Sequence, residues 1–212
     1  VLQAIREHAD FDIAEVVSQD ESHYFKADLL YPQQFAAASG LRPHLLLEFK
    51  LGMKAMRPVQ QRRIESFISR YGGQPGDAAV SCVDPREIAA DKFSALLWRV
   101  PNRDRSAGSD DPAMIRHLHD LAHLYEAYIQ PEKEAFRAAV QALYEADMRR
   151  GDIPATTVAE TARQVLTLLR EDEVYQEEYS SFVDSVSYAG EGENILYQGA
   201  LRVFENIIRN IL

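Results

Sequence analysis

Lys92 and Arg99 stand seven residues apart in Ala89-Ala90-Asp91-Lys92-Phe93-Ser94-Ala95-Leu96-Leu97-Trp98-Arg99. On a helix that is about two turns, so both cations share a face. Phe93, Ala95, Leu96 and Leu97 between them call for burial. Two cations held beside an apolar core suit an anionic ligand such as a phosphate. The plainer alternative is a lysine that stretches along the helix and pairs with Asp91 or Glu87. A second cluster follows in Arg116-His117-Leu118-His119-Asp120-Leu121-Ala122-His123. Arg116 and Asp120 are four apart and meet on one helical face, with His123 three further on. As an exposed pair, Arg116 and Asp120 would be worth only a few tenths of a kcal/mol (~0.3).

His119 and His123, at i and i+4, can present two imidazoles to one ion. A metal-dependent hydrolase of the HD type would need further His and Asp ligands from separate helices. Only His8, His23 and His44 remain, all early in the chain. Glu48 is the other acid that stands out, inside the apolar run His44-Leu45-Leu46-Leu47-Glu48-Phe49-Lys50-Leu51. A buried carboxylate is costly unless it is paired. Glu48 therefore binds a cation, pairs with a base such as Arg57, or points to solvent at the strand's end. Lys50, Lys54, Arg57, Arg62, Arg63 and Arg70 face only Glu48 and Glu65, a basic strip suited to phosphate or to solvation. Cys82, Ser94 and the Ser180-Ser181 pair lack a setting that would activate a nucleophile.

The elements that must position these groups are legible in outline. Leu2–His8 reads as the tail of a helix, and Phe11–Val17 and His23–Tyr31 as two strands joined by the Asp20-Glu21-Ser22 turn. His44–Leu51 reads as a strand buried on both faces. Gln60–Tyr71, with Ile64, Phe67 and Ile68 at helical spacing, predicts an amphipathic helix closed by the glycines from Gly72. Ala79–Val83 predicts a short strand. Asp84-Pro85 then caps the helix of Lys92. A polar loop spans Pro101 to Pro112, with Asp110 or Asp111 as cap for the next helix. Helices near 112–129, 131–149, 155–171 and 173–188 follow, and Val203, Ile207, Ile208 and Ile211 line the last one. The fold class is α+β, with an α/β part over 1–100 and a helical bundle over 101–212.

Composition narrows the partners. Of 212 residues, 46% are hydrophobic and 26% charged, the balance of an ordinary globular chain. The net charge of −10 argues against general nucleic-acid coating. The acidic excess is concentrated after residue 130, where 15 acids face 8 bases. No apolar run is long enough to span a bilayer. The single cysteine, Cys82, precludes an internal disulfide and fits a reducing, cytoplasmic setting. Val1 at the start suggests the edge of a fragment.

Taken in order, these motifs resemble the AbiEii/AbiGii toxin family of nucleotidyltransferases. The resemblance rests on Leu46-Leu47-Glu48, on Pro85-Arg86-Glu87-Ile88-Ala89-Ala90-Asp91-Lys92 with Ala95-Leu96 and Arg99, and on Arg116-His117-Leu118-His119-Asp120-Leu121. Glu178-Tyr179, Phe182-Val183 and Tyr188 extend it, so that it covers about residues 24–190. It implies a partial polymerase-β-like nucleotidyltransferase domain followed by helices. It also implies that Lys92 contacts nucleotide phosphates and that Asp120 is the last essential acid. Glu48 would lie near the metal, expected to be Mg2+, and Arg57, Arg99, Arg116 and His117 would contact the nucleotide. The implied partners are a nucleoside triphosphate, an RNA acceptor and an antitoxin protein, with no membrane.

The family's glycine turn and Asp-x-Asp are not matched, although Asp10-Phe11-Asp12 has the same acid spacing by coincidence. The chain as it stands is therefore expected not to transfer nucleotides. It is either a fragment or a non-catalytic binding relative.

Overall fold

In this computed structural model, residues 2–7, 10–19, 24–33, 43–50, 57–64, 71–72, 78–108, 110–151, 156–186 and 192–212 are described. They fall into two compact units, residues 1–54 and 55–212. The architecture is α+β, with small antiparallel sheets early in the chain and a helical C-terminal part.

In the first unit, α1 (Leu2–Arg6) precedes β1 (Asp12–Gln19), β2 (Tyr24–Leu30) and β3 (Leu45–Lys50). The strands form an antiparallel sheet in the order β1-β2-β3. Ala27 and Leu29 are buried, while Lys26 and Asp28 point to the opposite face, as a period of two requires. The expected β1–β2 hairpin is present, although its turn lies outside the described residues. The expectation that β3 is buried on both faces is corrected. It pairs only with β2 among the described strands, and Leu45 and Phe49 are 48% and 42% exposed. An apolar run does not distinguish a central strand from an edge one.

The second unit opens with β4 (Gln60–Ile64), paired antiparallel with β5 (Ala78–Cys82). The helix expected from Gln60 is corrected over these residues. Each lies opposite a β5 partner, from Gln60 against Cys82 to Ile64 against Ala78, and Ile64 is exposed. Only Ile64 of the expected inward trio lies among the described residues; Phe67 and Ile68 fall outside them. Strand pairing, a tertiary effect, overrides the local periodicity here.

Asp84 and Pro85 start α2 (Pro85–Arg99) as the sequence predicts, and the Asp84 side chain accepts from the Arg86 N–H at 2.9 Å. The buried face of α2 carries Ala89, Ala90, Phe93, Leu96 and Leu97. Phe93 stacks on Phe204 at 5.0 Å and meets Phe136 edge-on at 5.9 Å between ring centroids. Ser94 donates to Asp147 at 2.6 Å, so its buried hydroxyl is satisfied.

After the polar loop, a 3-10 turn (Pro112–Ile115) feeds α3 (Arg116–Leu124), then a wide π turn (Tyr125–Ile129) and a second 3-10 turn (Gln130–Glu132). The remaining helices are α4 (Lys133–Arg150), α5 (Val158–Glu171), α6 (Glu173–Val186) and α7 (Tyr197–Asn210). Gly151 ends α4 with φ 84°, a left-handed backbone that a side chain would strain. A reciprocal capping box starts α5, Thr157 with Glu160. Replacing Thr157 by Ala should cost about 1 kcal/mol, read as a lowered thermal midpoint. An unchanged midpoint would show that the box adds nothing. No helix among the described residues is long and apolar enough to cross a membrane.

Candidate active site

Helices α2 and α3 pack on each other and bury Phe93 and Leu96 from α2, and Leu118 and Leu121 from α3, in one core. That contact fixes which side chains meet along the seam. Lys92 Nζ lies 2.5 Å from Asp120 Oδ2, so the lysine pairs with neither Asp91 nor Glu87. The Glu87 carboxylate instead accepts from the Arg57 backbone N–H. Asp120 also does not pair with Arg116, its neighbour one turn back; its partner comes from the other helix. Burial raises the Asp120 carboxyl, but His119, with Nδ1 3.6 Å away, and Lys92 outweigh that and hold it at about 2. The ion pair is thus fully formed at neutral pH.

Arg99, two turns along α2, reaches Asp111 at 3.3 Å and lies over the Trp98 ring at 5.1 Å. Its Nε is buried without a hydrogen-bond partner. Asp111 therefore serves Arg99 and makes no side-chain cap for the 3-10 turn it precedes, which corrects the expected capping role. Asp110 is taken by Arg103. Arg116 makes no ion pair among the described residues.

His117 sits among these cations. Burial lowers its pKa to about 4, with the charges of Lys92, Arg116 and Arg99 adding to the effect and Asp120 opposing it. Its Nδ1 is buried and without a hydrogen-bond partner. Three cations and two carboxylates leave a surplus of one positive charge around a neutral imidazole. Orphaned N atoms on His117 and Arg99 add hydrogen-bonding capacity. Such a site favours a polyanion that can satisfy several donors at once.

The pH consequence has a definite sign. An unfolded histidine takes a proton below about 6.5, whereas folded His117 resists it down to about 4. The unfolded chain therefore binds more protons in that window, and stability falls as pH drops through it. His117→Gln should flatten that slope by on the order of 1–2 kcal/mol across the window, measured by denaturant unfolding at a series of pH values. An identical slope in the variant would show that His117 does not carry it.

His119 and His123 do converge, with Nε2 atoms 3.1 Å apart, so one ring donates to the other. Tyr179 and Phe182 pack around His119. Among the described residues, no group of three His, Cys, Asp or Glu side chains is placed to hold a metal ion. Among the described residues, the ligand set of an HD-type hydrolase is not assembled around this pair.

A family model described as nucleotidyl transferase AbiEii toxin of the type IV TA system matches residues 1–202. The chain belongs to that family. No curated protein matches it. AbiEii membership supports a nucleotidyltransferase-type toxin.

Five of the residues singled out in the sequence come together along the α2–α3 seam: Lys92, Arg99, Arg116, His117 and Asp120. Arg57 does not join them, because its guanidinium reaches Glu132 at 3.0 Å. Glu48 belongs to the first unit, where it is exposed on β3 and accepts from the Tyr24 hydroxyl at 2.6 Å. That bond raises the Tyr24 pKa. Glu48 and Tyr24 alone do not make a Mg2+ site, which calls for several oxygen ligands, so no catalytic step is routed through a metal here. Sequence reasoning missed Arg103, whose side chain is 5% exposed between Asp110 and Glu178. A loop has no periodicity to mark a buried charge. Only the acids around it offered a signal.

Proposed function

We propose that the chain binds the phosphates of a nucleoside triphosphate along the α2–α3 seam and belongs to an enzyme that transfers a nucleoside monophosphate to an acceptor. The Lys92–Asp120 pair across the α2–α3 seam, beside a buried His117 that also feels the charges of Arg116 and Arg99, supports this assignment. In the transfer, an acceptor hydroxyl oxygen bonds to the α-phosphorus while the bond to the β-phosphate oxygen breaks, and pyrophosphate leaves. Negative charge spreads over the phosphoryl oxygens, and Lys92, Arg99 and Arg116 supply the positive charge that meets it. Asp120, ionised and bonded to Lys92, orients the ammonium.

Mg2+ is the cation expected to accompany the triphosphate. RNA is the proposed acceptor, and an antitoxin protein the proposed partner, in the cytoplasm. The functional boundary is placed near residue 100, with Lys92 contributed from the 1–100 nucleotidyltransferase-like part and Asp120 from the 101–212 helical domain.

Calorimetric titration with nucleoside triphosphates and with inorganic triphosphate tests the binding. Saturable binding weakened by added salt is expected. Failure of both ligands to bind would sink the proposal. This chain, in which the glycine turn and Asp-x-Asp are not matched, is expected to give no radiolabel transfer to RNA in Mg2+, and clear transfer would overturn that expectation.

A further inference from the structure

Arg99 also lines a cleft of about 290 Å3, together with Trp98, Asn102, Asp104, Asp111 and Met114. Resting on the phosphate assignment above, we propose that this cleft is the nucleoside subsite of the same nucleotide, with the base against the Trp98 indole. Its volume lies at the low end for small-molecule pockets, which run roughly 300–1,000 Å3, and so suits one nucleoside-sized group.

Arg99 belongs to both places. It lines the cleft, and its charge is felt at His117 beside Lys92. Lys92 and Arg99 stand two turns apart on α2, about 10 Å along its axis, a distance that a nucleoside triphosphate can span. The two ends differ in sign. Lys92 and Arg116 outweigh Asp120 at the phosphate end, whereas the cleft's Arg99 and Arg103 are outnumbered by Asp104, Asp110 and Asp111. Ser106 donates to Asp104 through its backbone N–H at 2.9 Å and its hydroxyl at 2.6 Å, which lowers the Asp104 pKa and keeps it charged.

Charged carboxylates repel phosphate and accept from hydroxyl and amino groups, which a ribonucleoside has and a phosphate chain lacks. The polarity orients the ligand, phosphates towards Lys92 and sugar and base towards Trp98. Trp98 is half-buried against the core, so the platform is held in place. Stacking on an aromatic ring is tolerant of base identity.

Trp98 is the chain's single tryptophan, so tryptophan fluorescence reports on this position of the chain. The whole chain is titrated in parallel with each of the four ribonucleoside triphosphates and with inorganic triphosphate, reading fluorescence and heat. At least one nucleotide should quench Trp98 saturably and bind about tenfold more tightly than inorganic triphosphate, which should bind without quenching. Trp98→Ala should remove that tenfold preference and leave the affinity for inorganic triphosphate unchanged, which also shows that the variant is folded. If the variant loses both ligands, the wild-type quench decides.

Nucleotides that bind no more tightly than inorganic triphosphate and leave Trp98 unquenched would overturn the subsite while the phosphate site stands. Absence of all binding would remove both.

Discussion

Lys92→Met should weaken nucleoside triphosphate binding by about ten- to a hundredfold, since a charge-assisted hydrogen bond contributes roughly 1.5–3 kcal/mol. The substitution keeps the length and apolar stem of the side chain and removes only the ammonium. Structure should be affected much less. Asp120 loses its closest partner but is about a third exposed (33% for its side chain), and water can replace part of the bond. A stability loss of about 1 kcal/mol is expected, discounted for that exposure.

The two effects separate in a cycle with Asp120→Asn. If Lys92 serves only to pair Asp120, removing both partners should restore nucleotide affinity. If Lys92 meets phosphate, the double variant should bind as weakly as Lys92→Met. Lys92→Arg keeps the charge but exchanges a point cation for a planar fork, so partial retention of binding is expected. Unchanged affinity in Lys92→Met, measured by calorimetry, would remove the central cation from the site.

Why the seam was legible in the sequence and its surroundings were not follows from the physics of each element. Helix α2 carries its own start signal, Asp84-Pro85, and a long apolar face. A helix so specified places Lys92 and Arg99 two turns apart without any tertiary information. Helix α3 is similarly self-defining around Leu118, Leu121 and Ala122. What spacing alone left open was the partner of Lys92, because Asp91, Glu87 and Asp120 were all chemically eligible. Packing of α2 on α3 decides it.

The same local reasoning failed for Gln60–Ile64, where five residues are too few to separate a helical period from a strand. The outcome there rests on pairing with Ala78–Cys82, distant in sequence. It failed also at β3, whose apolar run looks central but lies at an edge. The roles of Asp110 and Asp111 were misjudged for a related reason. Each can cap a helix, yet each forms a stronger charge-assisted bond with an arginine placed by the fold.

Arg103→Met should destabilise the second unit by about 3–5 kcal/mol, the usual cost of removing one partner from a buried ion pair. Arg103 donates from Nε and Nη2 to Asp110 at 2.8 and 2.9 Å, and from Nη1 and Nη2 to Glu178 at 2.7 Å each. It also lies over the Tyr175 ring at 5.3 Å. One guanidinium thus ties the 101–111 loop to α6, and it lines the cleft beside Trp98. Without it, the Asp110 and Glu178 carboxylates, about 16% and 14% exposed, lose their shared counter-ion.

Most of the loss is therefore repulsion and desolvation rather than a missing contact. Two consequences distinguish this account from simple loss of packing. In Arg103→Met the facing carboxylates should have raised pKa values in the folded state, so the deficit should shrink as pH falls and one of them takes a proton. Adding Asp110→Asn and Glu178→Gln to Arg103→Met should recover much of the stability at neutral pH. Thermal unfolding of these variants at pH 7 and near pH 5 measures both effects. A deficit that is the same at the two pH values, and untouched by neutralising the acids, would mean that Arg103 holds the loop by packing rather than by charge.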